Sequence, residues 1–154
     1  MMNLYRISRC RYIDDLSGTG AMLYPGRWHS KGTRVLYTAG SASLAMLESI
    51  VHITSVTGLD MCMICLQIPN APIKEILLKD LPADWQINPP PDILKLYGDT
   101  FAAEKKFFAL KVPSAIIPEE SNYILNPNHR DYNKVRIIYN RSISIDERFF
   151  TLQK

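Results

Sequence analysis

Short apolar runs, rather than long amphipathic stripes, dominate this chain. Asn3 to Ser8 ("NLYRIS") reads as a first strand, and Thr33 to Ala39 ("TRVLYTA"), rich in β-formers, reads as a second. Between them a long loop runs from about Cys10 to Lys31. The period then changes, because Leu44, Leu47 and Val51 recur at i, i+3 and i+7 and define one face of a helix. Ser41 stands as its N-cap; the helix is predicted to run to about Thr54, with Gly58 ending the unit. Asp60 to Ile68 ("DMCMICLQI") reads as a third strand. "ADWQ" (83–86) and the segment from Asp92 to Lys105 carry mostly helical signals. "FFALKVPSAIIP" (107–118) is extended, since Pro113 excludes a helix interior. "VRIIYN" and "SISIDERFF" look like closing strands. Strands outnumber helices and their order is mixed. The expectation is an α+β fold, one domain over residues 1–154 with a mixed β-sheet core and short helices, without the alternation of a doubly wound sheet.

Composition adds limits. The 154 residues, 47% hydrophobic and 21% charged, suit one domain with its own core. No run approaches the eighteen or so apolar residues of a membrane span, and the first fifteen residues hold no signal-peptide core. A cytoplasmic protein is expected. Five of seven glycines fall by Gly40 and nine of ten prolines beyond residue 68, so tight turns come early and stiff extended connections late. The three cysteines suggest no disulfide framework. Cys62 and Cys65 form a CxxC, but on a strand they point to opposite faces, with no second Cys/His pair at zinc spacing. They read as buried thiols.

The net charge of +3 is unevenly placed. Residues 1–40 hold six Lys and Arg against Asp14 and Asp15, so the remainder is slightly acidic. Such a patch favours a phosphate-bearing ligand or an acidic partner. From Gly40 to Leu59, by contrast, Glu48 is the only formally charged residue. It projects near the edge of the apolar helix stripe, with His52 one turn further along. A buried unpaired carboxylate costs several kcal/mol, so Glu48 needs a partner from elsewhere or a solvent-filled cleft. An ion pair with an N-terminal arginine and a carboxylate facing cationic chemistry are both open. His52 reads as a helix-edge residue. "GTGAML" is not a dinucleotide fingerprint, and no phosphate-binding GxxxxGK[ST], HExxH or GxSxG occurs. His29, His52 and His129 are dispersed, which leaves Arg, Tyr, Ser and Glu as the reactive set.

The order of the pieces carries a resemblance. "LYRI" comes first, then "LSGTGAMLYPGRWHSKGTRVLYTAGSASLAMLESIVH", then "DLPADW", "LKVPSAIIPEESNYILNPNH" and "DERFF". In this it resembles the RES domain family, named for an Arg, a Glu and a Ser, over nearly the whole chain. The resemblance implies a fold like the ADP-ribosyltransferase core and the role of a toxin in a bacterial toxin–antitoxin pair. It implies consumption of NAD+ by hydrolysis or phosphorolysis of the nicotinamide–ribose bond, with NAD+ as substrate and no true cofactor or metal. Some relatives transfer ADP-ribose to a protein instead. The implied partner is an antitoxin with an Xre-type helix-turn-helix. Carried over by position, the Arg of "GRW" is Arg27, the Glu of "LE" is Glu48 and the Ser of "VPSA" is Ser114. The Tyr of "VLYTA" is Tyr37, the Arg of "YRI" is Arg6 and the Asn of "YILNP" is Asn126. Two departures are Pro25-Gly26 where the family commonly has two glycines, and His29 where an Asn often follows "RW".

The chemistry of these residue types agrees. Pyrophosphate suits Arg forks such as Arg6 and Arg27, and a flat nicotinamide suits an aromatic such as Tyr37. Cleaving the N-glycosidic bond builds an oxocarbenium-like ribose that a carboxylate such as Glu48 stabilises. Ser114 would orient the ribose or the amide. Each residue also has a plainer reading: Arg27 as a partner of Glu48, Tyr37 as core, Ser114 and Asn126 as turn formers. Trp28 is expected under the loop. A non-enzymatic basic domain that binds RNA or protein through "RWHSKGTRVLY" is a further alternative.

Overall fold

The first short run of β-formers becomes an interior strand of the sheet. A computed structural model describes residues 1–53 and 59–151. Its strands are β1 (Met2–Arg9), β2 (Leu36–Ala39), β3 (Met61–Ile68), β4 (Ile73–Glu75), β5 (Ala109–Pro113), β6 (Ser121–Leu125) and β7 (Arg136–Ile143). They form one sheet in the order β4-β5-β6-β2-β1-β3-β7. The β4–β5 pair is parallel and the other neighbours are antiparallel. The helices are α1 (Thr19–Leu23), α2 (Ala42–Ile50), α3 (Lys95–Glu104) and α4 (Arg148–Thr151). This is the mixed-sheet α+β architecture that the pattern predicts.

Several expectations shift in detail. The Cys10–Lys31 segment contains α1 rather than being all loop. α2 starts after Ser41, whose hydroxyl accepts from the Leu44 amide at 3.1 Å as an N-cap should, but it ends at Ile50. Thr54 and Gly58 lie outside the described residues. "ADWQ" makes turns, not a helix. β4 and β6 are strands that the pattern does not announce, being three and five residues long. The closing segment is one strand, β7, and "RFF" (148–150) is taken into α4 instead of a second strand.

Packing is two-sided. Leu4, Leu36, Ile64, Leu66, Phe108 and Leu125 bury one sheet face. Trp28, Val35, Phe101, Leu110, Val112 and Ile124 bury the other. Alternation along β2 and β6 sends neighbouring residues to different clusters, which is why short apolar runs suffice. α2 lays Leu44 and Ala45 on Ala39, Tyr5 and Ile7.

The cysteine expectation is corrected here. Cys10 and Cys62, fifty-two positions apart, form a disulfide, and Cys65 alone is the buried free thiol. The β1–β3 register explains the pairing: Ser8 stands opposite Cys62 and Arg9 opposite Met61, so Cys10 lies diagonally across from Cys62. Among the described residues no helix is long and apolar enough to cross a membrane.

The feature that matters for function is where β1 and β2 stop pairing. They are joined at Tyr5 and Ala39 and then diverge. β1 stays zipped to β3 along its whole length, and β2 is zipped to β6 from Leu36 to Ala39. The sheet therefore opens between them. α3 packs closely on the loop before β2 at Gly98, where a Cβ would overlap the Trp28 carbonyl oxygen. Gly98→Ala is expected to cost about 1–3 kcal/mol by overpacking. Urea denaturation should show a lower midpoint with an unchanged m value.

Candidate active site

Where the two strands part, a cleft of about 1290 Å³ forms, above the roughly 300–1,000 Å³ typical of small-ligand pockets. Arg6 and Ser8 line it from β1, Leu36 and Tyr37 from β2, and Glu48 from α2. A smaller lobe of about 440 Å³ continues past Arg6, Tyr37 and Glu48. Of the sequence-selected residues, Arg6, Arg27, Tyr37 and Glu48 line this opening.

Glu48 is half-buried on α2, and its Oε1 carries two hydrogen bonds. The Ser114 hydroxyl donates at 2.8 Å and the Asn122 amide at 2.7 Å. Ser114, fully buried at the end of β5, has no freedom in this role. Its oxygen accepts from the Ile116 and Ile117 amides, at 3.1 and 3.2 Å, so its one proton goes to Glu48. Ser114 is a positioning residue behind the carboxylate, which corrects the expectation that it orients a ribose or an amide. Among the described residues no donor reaches Glu48 Oε2, which is left for the cleft. None of their arginines or lysines lies within ion-pair distance of Glu48 either, so the plain ion-pair reading is not what the fold builds.

The N-terminus of α2 is tied to the β5–β6 hairpin, whose turn begins at Ser114. The Ser41 hydroxyl donates to Glu120 Oε1 at 2.7 Å, and the Ser114 amide donates to the Glu120 carbonyl at 2.9 Å. Asn122, one strand position inside that hairpin, is the functional residue that reading the sequence missed. Its signal was a lone amide in a short β-rich run, the counterpart of the lone acid in α2.

The arginines are held by backbone oxygens, not by acids. Arg27 Nη1 donates to the carbonyls of Trp85 and Ile87 at 2.8 and 2.9 Å, and Arg6 Nη1 to that of Ile13 at 3.0 Å. Burial pushes both guanidinium pKa values down, while Glu48 favours the charge on Arg27 and Asp15 that on Arg6. Both remain cationic, because a guanidinium does not deprotonate in proteins. Carbonyl partners fix their direction without neutralising them.

Tyr37 is fixed through His29, which is 2% exposed. His29 Nε2 faces the carbonyls of Ala21 and Tyr24 at 2.8 and 3.0 Å, so that nitrogen carries the proton. Nδ1 then accepts from the Tyr37 hydroxyl at 2.7 Å, and the phenol oxygen accepts from the Trp28 amide at 3.3 Å. Burial pushes the phenol pKa well above its ordinary value. With its hydroxyl engaged, Tyr37 offers a ligand its ring. The glycine that the family loop keeps is the necessary one, since a Cβ at Gly26 would stand 2.8 Å from the Tyr37 oxygen. Trp28 packs against Trp85, ring centres 6.3 Å apart, under the loop as expected.

Asn126 is corrected. Fully buried, it donates to the Ala102 carbonyl at 3.2 Å and accepts from the Asn128 amide at 3.0 Å, away from the cleft lining. It shapes the turn after β6. His52 is exposed on the cleft wall. Among the described residues no group of His, Cys, Asp and Glu could hold a metal.

Ser114→Ala strands two amides and removes a donor to a carboxylate, and should cost about 1–3 kcal/mol in thermal unfolding; Asn122→Ala, at a less buried site, should cost less. Asp99 holds the loop before β2 by accepting from the Ser30 amide and hydroxyl and the Thr33 hydroxyl. Burial raises its pKa, but these bonds lower it further, leaving it below the ordinary carboxylate value. Its contribution is therefore complete above that range and lost as pH falls through the lowered value. Asp99→Asn should flatten the acid limb of stability against pH.

The chain is similar to known proteins over nearly its whole length. The RES domain family model matches residues 3–150. A protein of Photorhabdus laumondii named Toxin Res is 37% identical, covering 99% of this chain and 100% of its own. The Prs ADP-ribosylating toxin of a Sphingobium species is 33% identical over 84% of this chain and 83% of its own. In three dimensions, a chain from the crystal structure of the M. tuberculosis MbcT–MbcA toxin–antitoxin complex superposes with a TM-score of 0.76. At 15% identity, covering 93% of this chain and 84% of that one, it shares the fold.

Proposed function

The chain belongs to the RES domain family, and from that membership we propose that it is the toxin of a bacterial toxin–antitoxin pair that cleaves the nicotinamide–ribose bond of NAD+. The observation that carries this reading is the Glu48 carboxylate, pinned on one oxygen by Ser114 and Asn122 and open on the other, in a cleft with two unneutralised arginines.

Each residue then has a task. Arg6 and Arg27 take the pyrophosphate, and the Tyr37 ring packs on the nicotinamide. Heterolysis sends the C1′–N electron pair to the ring nitrogen, so nicotinamide leaves neutral and needs no strong general acid. The positive charge passes to the ribose. A prepositioned carboxylate stabilises that charge more than it stabilises the substrate. Water adds to C1′ and releases one proton, giving ADP-ribose; with phosphate as acceptor the product is the corresponding phosphate ester.

Transfer of ADP-ribose to a protein is the second reading, favoured by the 33% identity to a relative named as an ADP-ribosylating toxin. Both share the bond-breaking step and differ in the acceptor. The partner in this proposal is an Xre-type antitoxin. Exposed Leu23, Tyr24 and Val51 on the cleft lining give it an apolar surface to cover.

Purified protein should release nicotinamide from NAD+. Glu48→Gln keeps an oxygen for Ser114 and Asn122, so it should retain the circular dichroism spectrum while losing about 10²–10³ in rate. Intact NAD+ after long incubation, with and without phosphate, would sink the proposal. Label from NAD+ on macromolecules instead of in small products would select transfer.

A further inference from the structure

The cleft contains a second carboxylate built on the same plan as Glu48. Asp15 lies on the segment that follows β1, and Glu48 on the helix that follows β2, so the two acids come from the two sides of the parted sheet. Asp15 Oδ1 accepts both the Ser17 amide at 3.0 Å and the Ser17 hydroxyl at 2.5 Å. Among the described residues no donor reaches Oδ2. As at Glu48, one oxygen is anchored within the chain and the other is free.

The segment around Asp15 is tied at several points. Arg6 donates to the Ile13 carbonyl at 3.0 Å, and the Tyr132 hydroxyl to the Leu16 carbonyl at 2.6 Å. Arg34 donates to the Ser17 carbonyl at 2.9 Å. Asp15 is thus an exposed side chain on an immobilised backbone. It sits in the field of Arg6 and Arg34, and the bonds from Ser17 hold its carboxyl below the ordinary value, so it is ionised at neutral pH.

Each cleft carboxylate lies in electrostatic reach of one cleft arginine. Glu48 acts electrostatically on Arg27, and Asp15 on Arg6. A carboxylate with one free oxygen reads a hydroxyl donor, and a dinucleotide carries two ribose diols separated by a pyrophosphate. Resting on the reading of Glu48 as the group beside the nicotinamide ribose, we infer that Asp15 receives the adenosine ribose 2′-hydroxyl and makes the enzyme selective for NAD+ over NADP+. The 2′-phosphate of NADP+ would place a dianion against an ionised carboxylate and offer no proton in return. An acidic side chain on the same hydroxyl makes this choice in dinucleotide-binding α/β folds, which the present sheet does not resemble. The chemistry is shared, while the scaffold is different.

The test is the ratio of kcat/KM for NAD+ to that for NADP+. The wild-type protein should favour NAD+ by about 10- to 100-fold, which corresponds to about 1.4 to 2.7 kcal/mol. Asp15→Asn keeps an oxygen for Ser17 and removes the charge, and should bring the ratio down by about tenfold or more, chiefly by raising turnover of NADP+. Asp15→Ala should move it in the same direction. Consumption of NAD+ with equal use of NADP+ would overturn the inference and leave the proposed function standing. So would a ratio unchanged in Asp15→Asn. Consumption of neither dinucleotide would overturn both.

Discussion

The parting of β1 from β2 is the constraint from which the site descends. Each strand is committed to its other neighbour, β1 to β3 and β2 to β6, so the sheet does not fall apart when the central pair opens. What opens is a gap lined by side chains of both strands. Arg6 reaches a backbone carbonyl on one side of it, and Tyr37 is locked to His29 on the other. A long helix across the opening would have filled it; the elements near it are instead short, α1 at five residues and α2 at nine.

Within this gap, polar groups are satisfied without cancelling one another. The arginines donate to carbonyls, and Glu48 accepts from a hydroxyl and an amide. Neutral partners supply the hydrogen bonds that half-buried charges require, while the charges themselves remain available to a ligand. Direct ion pairs among the same groups would have neutralised the field the cleft now holds. The fully buried Ser114 shows how far this goes: both lone pairs and its proton are used, and all three bonds serve to aim one carboxylate oxygen.

Elements whose signals are local could be read from the chain. β1 and β3 follow from runs of β-formers, and the start of α2 from Ser41 and the spacing of Leu44 and Leu47. Arg6, Arg27, Tyr37 and Glu48, singled out by the family motifs, line one cleft. Where signals were brief or shared, reading failed. "SNYIL" and "IKE" become strands because β5 offers each an edge, not because of their own preference. "RFF" carries β-forming residues, yet it turns into α4 after Asp146 takes the Arg148 amide. Asn126 matched a frequent family position but spends its amide on Ala102 and the Asn128 turn.

By itself the sequence determined the kinds of element, the isolation of Glu48 among apolar neighbours and the order of motifs that marks the family. Those are properties of spacing within a few residues, set by side-chain periodicity and backbone preference. Only the tertiary structure decided that Ser114 and Asn122, 66 and 74 positions away, would meet the same oxygen of that acid. It alone decided that Cys10 would bridge to Cys62, and that Arg27 would answer to Trp85 and Ile87 rather than to Glu48. Such contacts depend on strand register and on where two strands separate, and a shift of one residue would send every side chain involved to the opposite face.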